Sequence, residues 1–213
     1  MEKIWFRSHQ QRNLSIHVSR ILKKWQLALK EYQNKTWELG YDTTEKANFG
    51  FFLWGCAQLK MPFLLEFTMD RKYRGEDRGQ GRPDGRILMD DNTTAIFEVK
   101  RIFDRLDTPP RNQIVKKIDL LGKELKSLKW WNRKVKRIGL CFVILERNKE
   151  RGTKGLNKPL SRYLSNLTTY PSFDFFGVYQ SPEEIVTKPY NISKDKRNHE
   201  FIYPAVVVIG KYV

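Results

Sequence analysis

Cysteine is scarce in this sequence, with only Cys56 and Cys141 among 213 residues. Both lie inside apolar segments, so we expect small buried side chains in a reducing compartment, the cytoplasm. Two cysteines cannot supply the four thiolates of an iron–sulfur cluster, which excludes that kind of cofactor site. The three histidines, His9, His17 and His199, are scattered along the chain.

Long apolar runs are also missing. No uninterrupted apolar stretch approaches the roughly 20 residues that span a bilayer, and Met1–Arg7 lacks the apolar core of a secretory signal. We therefore expect no membrane partner. The chain has no internal repeat or low-complexity tract, and its 40% hydrophobic content suffices for one substantial core. One compact domain is the simplest organisation.

Acidic residues are outnumbered by basic ones. The chain has 40 Lys and Arg residues against 24 Asp and Glu residues, which gives a formal net charge of +16. Such a surplus attracts polyanions and contributes a large, salt-dependent share of nucleic-acid binding. The composition therefore favours a nucleic-acid partner, and a charge that only keeps the protein in solution is the alternative.

The most informative segment is GRPDGRILMDDNTTAIFEVKR, residues 81–101. Its pattern predicts two strands joined by a polar turn, Gly85–Met89 and Ala95–Arg101. Side chains alternate along a strand, so Glu98 and Lys100 share one face. Pairing of the strands as a hairpin places Asp84 beside both. Two carboxylates and an ammonium group then converge, which predicts a metal site with a proton-handling or charge-stabilising lysine.

These residues resemble the motif of the PD-(D/E)XK nuclease superfamily, in which Pro-Asp precedes (Asp or Glu)-x-Lys by a short hairpin. Here Asp84 precedes Glu98 by 14 positions, and Lys100 follows Glu98 by two. The resemblance implies a nuclease whose Asp84, Glu98 and Val99 carbonyl hold Mg²⁺, with Mn²⁺ as a substitute. It also implies that Lys100 orients the attacking water and stabilises charge in the transition state.

Further site residues follow from the same resemblance. Family members often carry a metal-binding Glu in the helix before the first strand; Glu45 is our candidate and Glu66 its rival. Their ordinary alternatives are an acid favoured at a helix N-terminus and a solvent-facing strand residue. Several branches of the family place a catalytic glutamine at the start of the helix that follows the motif, and Gln113 matches it. Lys117 stands where the exonuclease branch has a tyrosine.

Arginines precede and follow the motif, as expected for side chains that position phosphates. The predicted nucleic-acid contacts are Arg82, Arg86, Arg101, Arg105 and Arg111. The sequence thus predicts a metal-dependent nuclease with DNA as the favoured substrate. A nucleic-acid-binding accessory protein with a nuclease fold but no catalysis stays open, as does an RNA-cleaving endonuclease. The mode of cleavage and the specificity stay open too.

The predicted fold is α/β, with a central mixed β-sheet flanked by helices. The order of elements resembles the restriction-endonuclease-like core from about Thr43 to Gln180, most closely as in archaeal-type Holliday-junction resolvases and viral or exonuclease branches. We predict an N-terminal helical extension over residues 1–42 and a nuclease-like domain over residues 43–213. The extension is interpreted as an extra core layer, with a homodimer contact or a nucleic-acid clamp as alternatives.

Periodicity and turn signals predict the remaining elements. Helices are expected at 11–33, 43–59, 112–129 and Ser161–Thr168, and strands at Phe63–Thr68, Ile138–Glu146, Phe173–Tyr179 and Ala205–Ile209. The nearly continuous apolar run at Ile138–Glu146 predicts a strand that is buried on both faces. The segments Arg71–Arg82, Arg101–Arg111 and Ser181–His199 are predicted to be polar or basic connections.

Overall fold

The structure is a computed structural model that describes residues 2–7, 12–66, 69–73, 76–89, 91–128, 135–195 and 198–213. In chain order the elements are β1 (Glu2–Phe6), α1 (Arg12–Thr36), α2 (Glu45–Gln58), β2 (Phe63–Leu65), β3 (Met69–Tyr73), β4 (Glu76–Gly81), β5 (Gly85–Leu88), β6 (Thr94–Arg105), α3 (Asn112–Ser127), β7 (Val135–Asn148), α4 (Asn157–Thr168), β8 (Phe175–Gln180), α5 (Glu183–Val186), β9 (Ser193–Lys194) and β10 (Glu200–Tyr212). Short 3₁₀ turns lie at Lys149–Arg151 and Pro189–Asn191.

A mixed sheet forms the centre of the molecule, with strand order β1-β8-β10-β7-β6-β5-β2 and β9 beside β10. β6 and β7 run parallel, whereas the other described pairs are antiparallel. Parallel neighbours need a crossover connection, and α3 provides it. β3 and β4 form a separate two-stranded sheet. The predicted α/β class with a central mixed sheet is therefore confirmed.

Helices cover both faces of this sheet. Apolar side chains of α1 and α2 pack on one face, and those of α3 and α4 pack on the other. Side chains of β7 alternate between the two cores: Leu140, Phe142 and Ile144 on the α1 side, and Cys141, Val143 and Leu145 on the α3 side. The prediction of a strand buried on both faces is confirmed. None of the described helices is long and apolar enough to cross a membrane.

The two N-terminal helices form as predicted. α1 buries an apolar stripe that includes Ile21, Trp25 and Leu29. Thr44 is the N-cap of α2, and its side-chain oxygen accepts a hydrogen bond from the Ala47 backbone N–H at 3.0 Å. This cap fixes where α2 begins, and therefore where Glu45 lies.

Several predicted boundaries are wrong. The segment predicted as the loop Arg71–Arg82 contains most of the β3–β4 hairpin, and Ser181–His199 contains α5 and β9. β6 continues past Arg101 because its parallel pairing with β7 extends to Arg105 opposite Glu146. Phe67 and Thr68, the predicted end of the strand at Phe63, lie outside the described residues.

The N-terminal segment is not wholly helical. β1 precedes α1 and pairs antiparallel with β8, with Ile4 opposite Gly177. The sequence analysis missed this strand. Residues before position 43 thus contribute both a strand of the main sheet and a core helix, and the predicted division between residues 42 and 43 stays a prediction.

Candidate active site

The candidate site lies where β5 begins, beside β6. The described ladder between these strands ends with Gly85 opposite Phe97. One residue further, the Asp84 Oδ2 atom accepts a hydrogen bond from the Val99 backbone N–H at 2.6 Å. A Cβ atom at position 85 would lie 2.7 Å from the Phe49 ring, so glycine permits this close approach of α2. The hairpin thereby brings Asp84 alongside the Glu98–Lys100 segment.

Glu98 is buried and only partly satisfied. Its Oε1 atom lies 3.4 Å from Lys100 Nζ, whereas its Oε2 atom is buried without a hydrogen-bond partner among the residues that the structure describes. Burial, and next the negative charge of Asp84, raises the pKa of Glu98 to about 7. A divalent cation fits this donor set, because it would pair with the orphaned oxygen and offset the repulsion between the two carboxylates.

Lys100 is surrounded by carboxylates. Its Nζ atom is 3.4 Å from Glu98 Oε1 and 3.5 Å from Glu124 Oε2. Burial by itself would lower the pKa of Lys100, but the charges of Glu98, Glu124, Glu45 and Asp84 together raise it above its usual value. The side chain is therefore held as an ammonium group, which suits it to stabilising negative charge rather than to accepting a proton.

Glu124 was not singled out from the sequence. It belongs to α3, which returns along β6 and brings this carboxylate to the level of Lys100. Its Oε2 atom is buried, and the 3.5 Å separation from Lys100 is too long for a hydrogen bond. The signal in the sequence was a Glu beside Leu121 and Leu125, at the margin of the buried stripe of an amphipathic helix.

The two candidates for an additional acidic ligand lie in different surroundings. Glu45 opens α2 and is partly buried; burial raises its pKa, and the charge of Lys100 opposes that effect. Glu66 is exposed and forms a 2.6 Å ion pair with Lys46, whose hydrogen bond and charge lower the pKa of Glu66. Of the two, Glu45 is the residue within the electrostatic reach of Lys100.

Gln113 lies away from these carboxylates. Its side-chain amide contacts the Phe103 carbonyl and the Arg111 guanidinium. α3 begins beyond the Arg105 end of β6, so its first turn lies at the far end of that strand from Glu98. The catalytic role predicted for Gln113 stays a prediction, and the described contacts give it no support.

Four of the five predicted nucleic-acid contacts, Arg86 among them, interact with the protein itself. For the other three, the partners are the Asp42 and Thr43 carbonyls for Arg101, Glu146 for Arg105 and Asp104 for Arg111. Arg86 is partly buried, and Arg82 is exposed two residues before Asp84. Arg82 is thus the best placed of the five to meet a phosphate near the site, and the binding role of all five stays a prediction.

Within the described ranges, no group of three or more His, Cys, Asp and Glu side chains is arranged to hold a metal ion by itself. Mg²⁺ usually takes only one or two protein carboxylates and completes its shell with water and substrate phosphates. Asp84 and Glu98 meet that requirement. In a regular strand the N–H and C=O of one residue lie on the same side, so the Val99 carbonyl is expected on the Asp84 side of β6, as its N–H is.

Comparison with known proteins adds little. No family model matches the chain, and no curated protein matches it. The chain is similar to a chain of the solved structure described as the crystal structure of SSO0001, with 14% sequence identity and a TM-score of 0.23. The match covers 76% of this chain and 84% of that chain. A TM-score this low carries no argument about fold or function.

Proposed function

We propose that this protein is a metal-dependent nuclease that hydrolyses phosphodiester bonds, with DNA as the favoured substrate. The observation that carries the proposal is the Glu98 carboxylate, which is buried beside Asp84 with one oxygen unpartnered in the described chain. Such an orphaned buried atom costs about 1–3 kcal/mol. A ligand that binds the oxygen would account for its position beside the Asp84 carboxylate.

The charge balance supports a bound cation. Four carboxylates, those of Glu45, Asp84, Glu98 and Glu124, act on the ammonium group of Lys100, and the cluster is offset further only by Arg101 beside Glu45 and Lys46 near Asp84 among the described residues. Without a cation this excess of negative charge would repel a phosphate group. A protein that only binds nucleic acid gains nothing from such a cluster, so the arrangement favours catalysis over the accessory-protein alternative.

The PD-(D/E)XK resemblance gives the supporting framework. The hairpin with Asp84 at its start and Glu98 and Lys100 on its second strand is compatible with that superfamily. The mixed sheet flanked by helices is compatible with the restriction-endonuclease-like fold. We include both assignments in the proposal.

The proposed roles are those that the resemblance implies, and the positions of Asp84 and Glu98 support them. Asp84, Glu98 and the Val99 carbonyl would hold Mg²⁺ or Mn²⁺, with Glu45 as an additional acidic group. Mg²⁺ bound there would neutralise the scissile phosphate, lower the pKa of a bound water and stabilise the leaving oxyanion. The Val99 N–H holds the Asp84 carboxylate in one orientation for this task.

Lys100 would act on the phosphate directly. Its ammonium group would orient the attacking water and donate hydrogen bonds to the phosphoryl oxygens as negative charge develops. Glu124 restrains the same ammonium group from the α3 side. We infer that Glu124 positions Lys100 and does not itself contact the reacting atoms.

Cleavage assays test the proposal. Labelled duplex, branched and single-stranded DNA, and RNA, are incubated with the purified protein in Mg²⁺, Mn²⁺ or EDTA. We expect metal-dependent cleavage that falls at least about 100-fold in Glu98→Gln, the scale on which single charge-stabilising groups act. Glu146→Gln is the matched control, since that partly buried carboxylate pairs with Arg105 at the other end of the strands. Cleavage in EDTA, or in Glu98→Gln at the wild-type rate, would contradict the proposal.

A further inference from the structure

A cavity of about 440 Å³ opens beside the candidate active site, between α2 and β2. Its apolar wall is formed by Phe49, Leu53 and Leu65. Asp84 also lines the cavity and belongs to the candidate active site. This volume falls in the range of cavities that enclose small organic ligands. A substrate whose phosphate lies at Asp84 would therefore have room for one of its apolar groups in this cavity.

Gly50 leaves the helix backbone uncovered where α2 lines the cavity. Glycine inside a helix is less favourable than alanine, so it needs a reason. Gly55 of the same helix has a packing reason, because a Cβ atom there would lie 2.9 Å from the Trp25 backbone nitrogen. Gly50 has no such reason: an added Cβ atom would meet no atom within 4 Å in the described structure. Its open side faces the cavity.

The walls have the chemistry that holds an unstacked nucleobase. Phe49 is 4% exposed, so only a small part of its ring reaches the cavity, and Phe52 and Phe97 fix that ring with centroids 6.0 Å and 6.1 Å away. Leu65 approaches from β2 and remains 49% exposed, so it has apolar surface left to cover. Enzymes that act on an extruded base hold it between aromatic and apolar side chains and bind its edge through hydrogen bonds.

Lys46 and Glu66 line the cavity together with Glu45 and Asp84 of the candidate active site. Their 2.6 Å ion pair joins α2 to the end of β2 and provides both donors and acceptors for a base edge. Glu66 has a φ angle of 44°, in the left-handed region that residues other than Gly, Asn and Asp rarely adopt. Its backbone N–H donates to the Asp84 carbonyl at 3.3 Å. Strain of this kind concentrates at functional sites.

We propose that this cavity is a binding subsite for an unstacked nucleobase that adjoins the scissile phosphate. The inference rests on the proposed nuclease function, because Asp84 and Val99 belong to both the cavity and the active site. A base that is stacked and paired in a duplex cannot enter such a site. The subsite therefore selects single-stranded or frayed substrates over intact duplex.

Filling the cavity tests the proposal. Gly50→Leu places an isobutyl group in it from the helix side, and Ala57→Leu adds a leucine at another exposed position of α2, outside the cavity lining. Leu65→Ala removes apolar wall without adding bulk. The probes are a deoxynucleoside 5′-monophosphate and deoxyribose 5-phosphate, which lacks the base. Binding to each variant is measured in Mg²⁺ by calorimetry, after circular dichroism has shown that the variant is folded.

The wild-type protein should bind the mononucleotide at least 10-fold more tightly than the sugar phosphate, since removal of one stacking partner changes affinity by about 5- to 150-fold. Gly50→Leu should abolish this difference and Leu65→Ala should reduce it, whereas Ala57→Leu should retain it. Equal affinity for the two probes in the wild type would overturn the proposal, as would a difference unchanged in Gly50→Leu. If Gly50→Leu does not fold, an unchanged difference in Leu65→Ala overturns it.

Cleavage of labelled single-stranded and duplex DNA by the same samples distinguishes failure of the proposed subsite from failure of the proposed nuclease function. Metal-dependent cleavage without any preference for the probe that carries a base contradicts the subsite alone. Failure of the wild-type protein to cleave any nucleic acid contradicts the proposed function, whichever probe it binds.

Discussion

Glu98 and Asp104 are two buried carboxylates on β6, and they differ in their hydrogen-bond partners. Asp104 is fully buried, and both of its oxygens are bonded, to the Arg111 side chain and N–H and to the Tyr163 hydroxyl at 2.6 Å. Glu98 is 6% exposed and lies 3.4 Å from Lys100 through one oxygen. Its other oxygen has no partner within the described part of the chain.

Such a difference is expected between a carboxylate with a structural role and one that is proposed to bind a cation. Buried polar groups that serve only structure are satisfied by hydrogen bonds, as Asp104 is. Glu98 is surrounded instead by the further negative charges of Asp84 and Glu124. Exceptions of this kind to the rules of stable folding are expected at functional sites.

Substitution of Glu98 should lower the cleavage rate and substitution of Asp104 should not, and this is the largest effect that we expect. Asp84→Ala, Glu98→Ala and Lys100→Ala should each lower the cleavage rate by about 100- to 1000-fold or more, because each deletes an interaction made in the transition state. Asp104→Asn should keep the wild-type rate per folded molecule. Initial rates normalised to the folded fraction measure both, and a wild-type rate in Asp84→Ala would place the active centre elsewhere.

The free energy of unfolding should show the reverse order, because substitution of Asp104 should lower it more than substitution of Glu98. Asp104→Ala leaves the Arg111 guanidinium and the Tyr163 hydroxyl without their partner. Breaking a buried ion pair costs about 3–5 kcal/mol, and we expect about 2–3 kcal/mol because the Arg111 side chain is 44% exposed. Glu98→Gln should leave the free energy of unfolding in EDTA unchanged or slightly higher. Urea denaturation of both variants gives the comparison, and equal losses would mean that Glu98 is structural after all.

The sequence predicts the surroundings of Glu98 better than those of Asp104. The Asp84–Glu98 approach depends on a short hairpin whose alternation and turn are local, so the pattern of residues 81–101 sufficed. The surroundings of Asp104 depend on a strand that runs four residues beyond its predicted end at Arg101, where the charged residues Arg101, Asp104 and Arg105 concealed the extended backbone. Pairing with β7 fixes that extension, and sequence periodicity does not report it.

Glu124 and β1 escaped prediction for a related reason. Glu124 reaches Lys100 only because α3 folds back along β6, a tertiary arrangement that helical periodicity leaves undetermined. β1 spans five residues with charged residues at its start, and its partner β8 lies more than 160 positions away along the chain. Short strands whose pairing is so remote carry a weak local signal.

The pH dependence of stability offers a finer test of the comparison. The pKa of Glu98 is raised from 4.5 to about 7 in the folded protein, so the folded state binds this proton more tightly than the unfolded state does. The corresponding stabilisation is present below pH 4.5 and is lost as the pH rises through 7. In EDTA, the free energy of unfolding should fall by on the order of 2 kcal/mol between pH 5 and pH 8.

Glu98→Gln should remove that slope, because the amide does not titrate, while the Asp104→Asn protein should retain it. Saturating Mg²⁺ should also flatten the slope in the wild type, since a bound cation keeps the carboxylate ionised. Urea titrations at a series of pH values check these expectations, and an identical slope in Glu98→Gln would assign the effect to another group.

Nucleic-acid affinity without metal should reveal the smallest difference between the two carboxylates. In EDTA, the surplus of basic residues should give an affinity that falls steeply with salt, because lysines and arginines displace counterions from the phosphates. Glu98→Gln removes a negative charge from the place where a phosphate must approach, so it should bind a few-fold more tightly than the wild type. Asp104→Asn removes a charge already neutralised by Arg111 and should have no such gain.

Arg82→Glu should weaken binding and lower the salt slope by about one, the loss of one phosphate contact. Gel-shift titrations across a salt series measure all four proteins, and an affinity indifferent to salt would count against nucleic acid as the ligand.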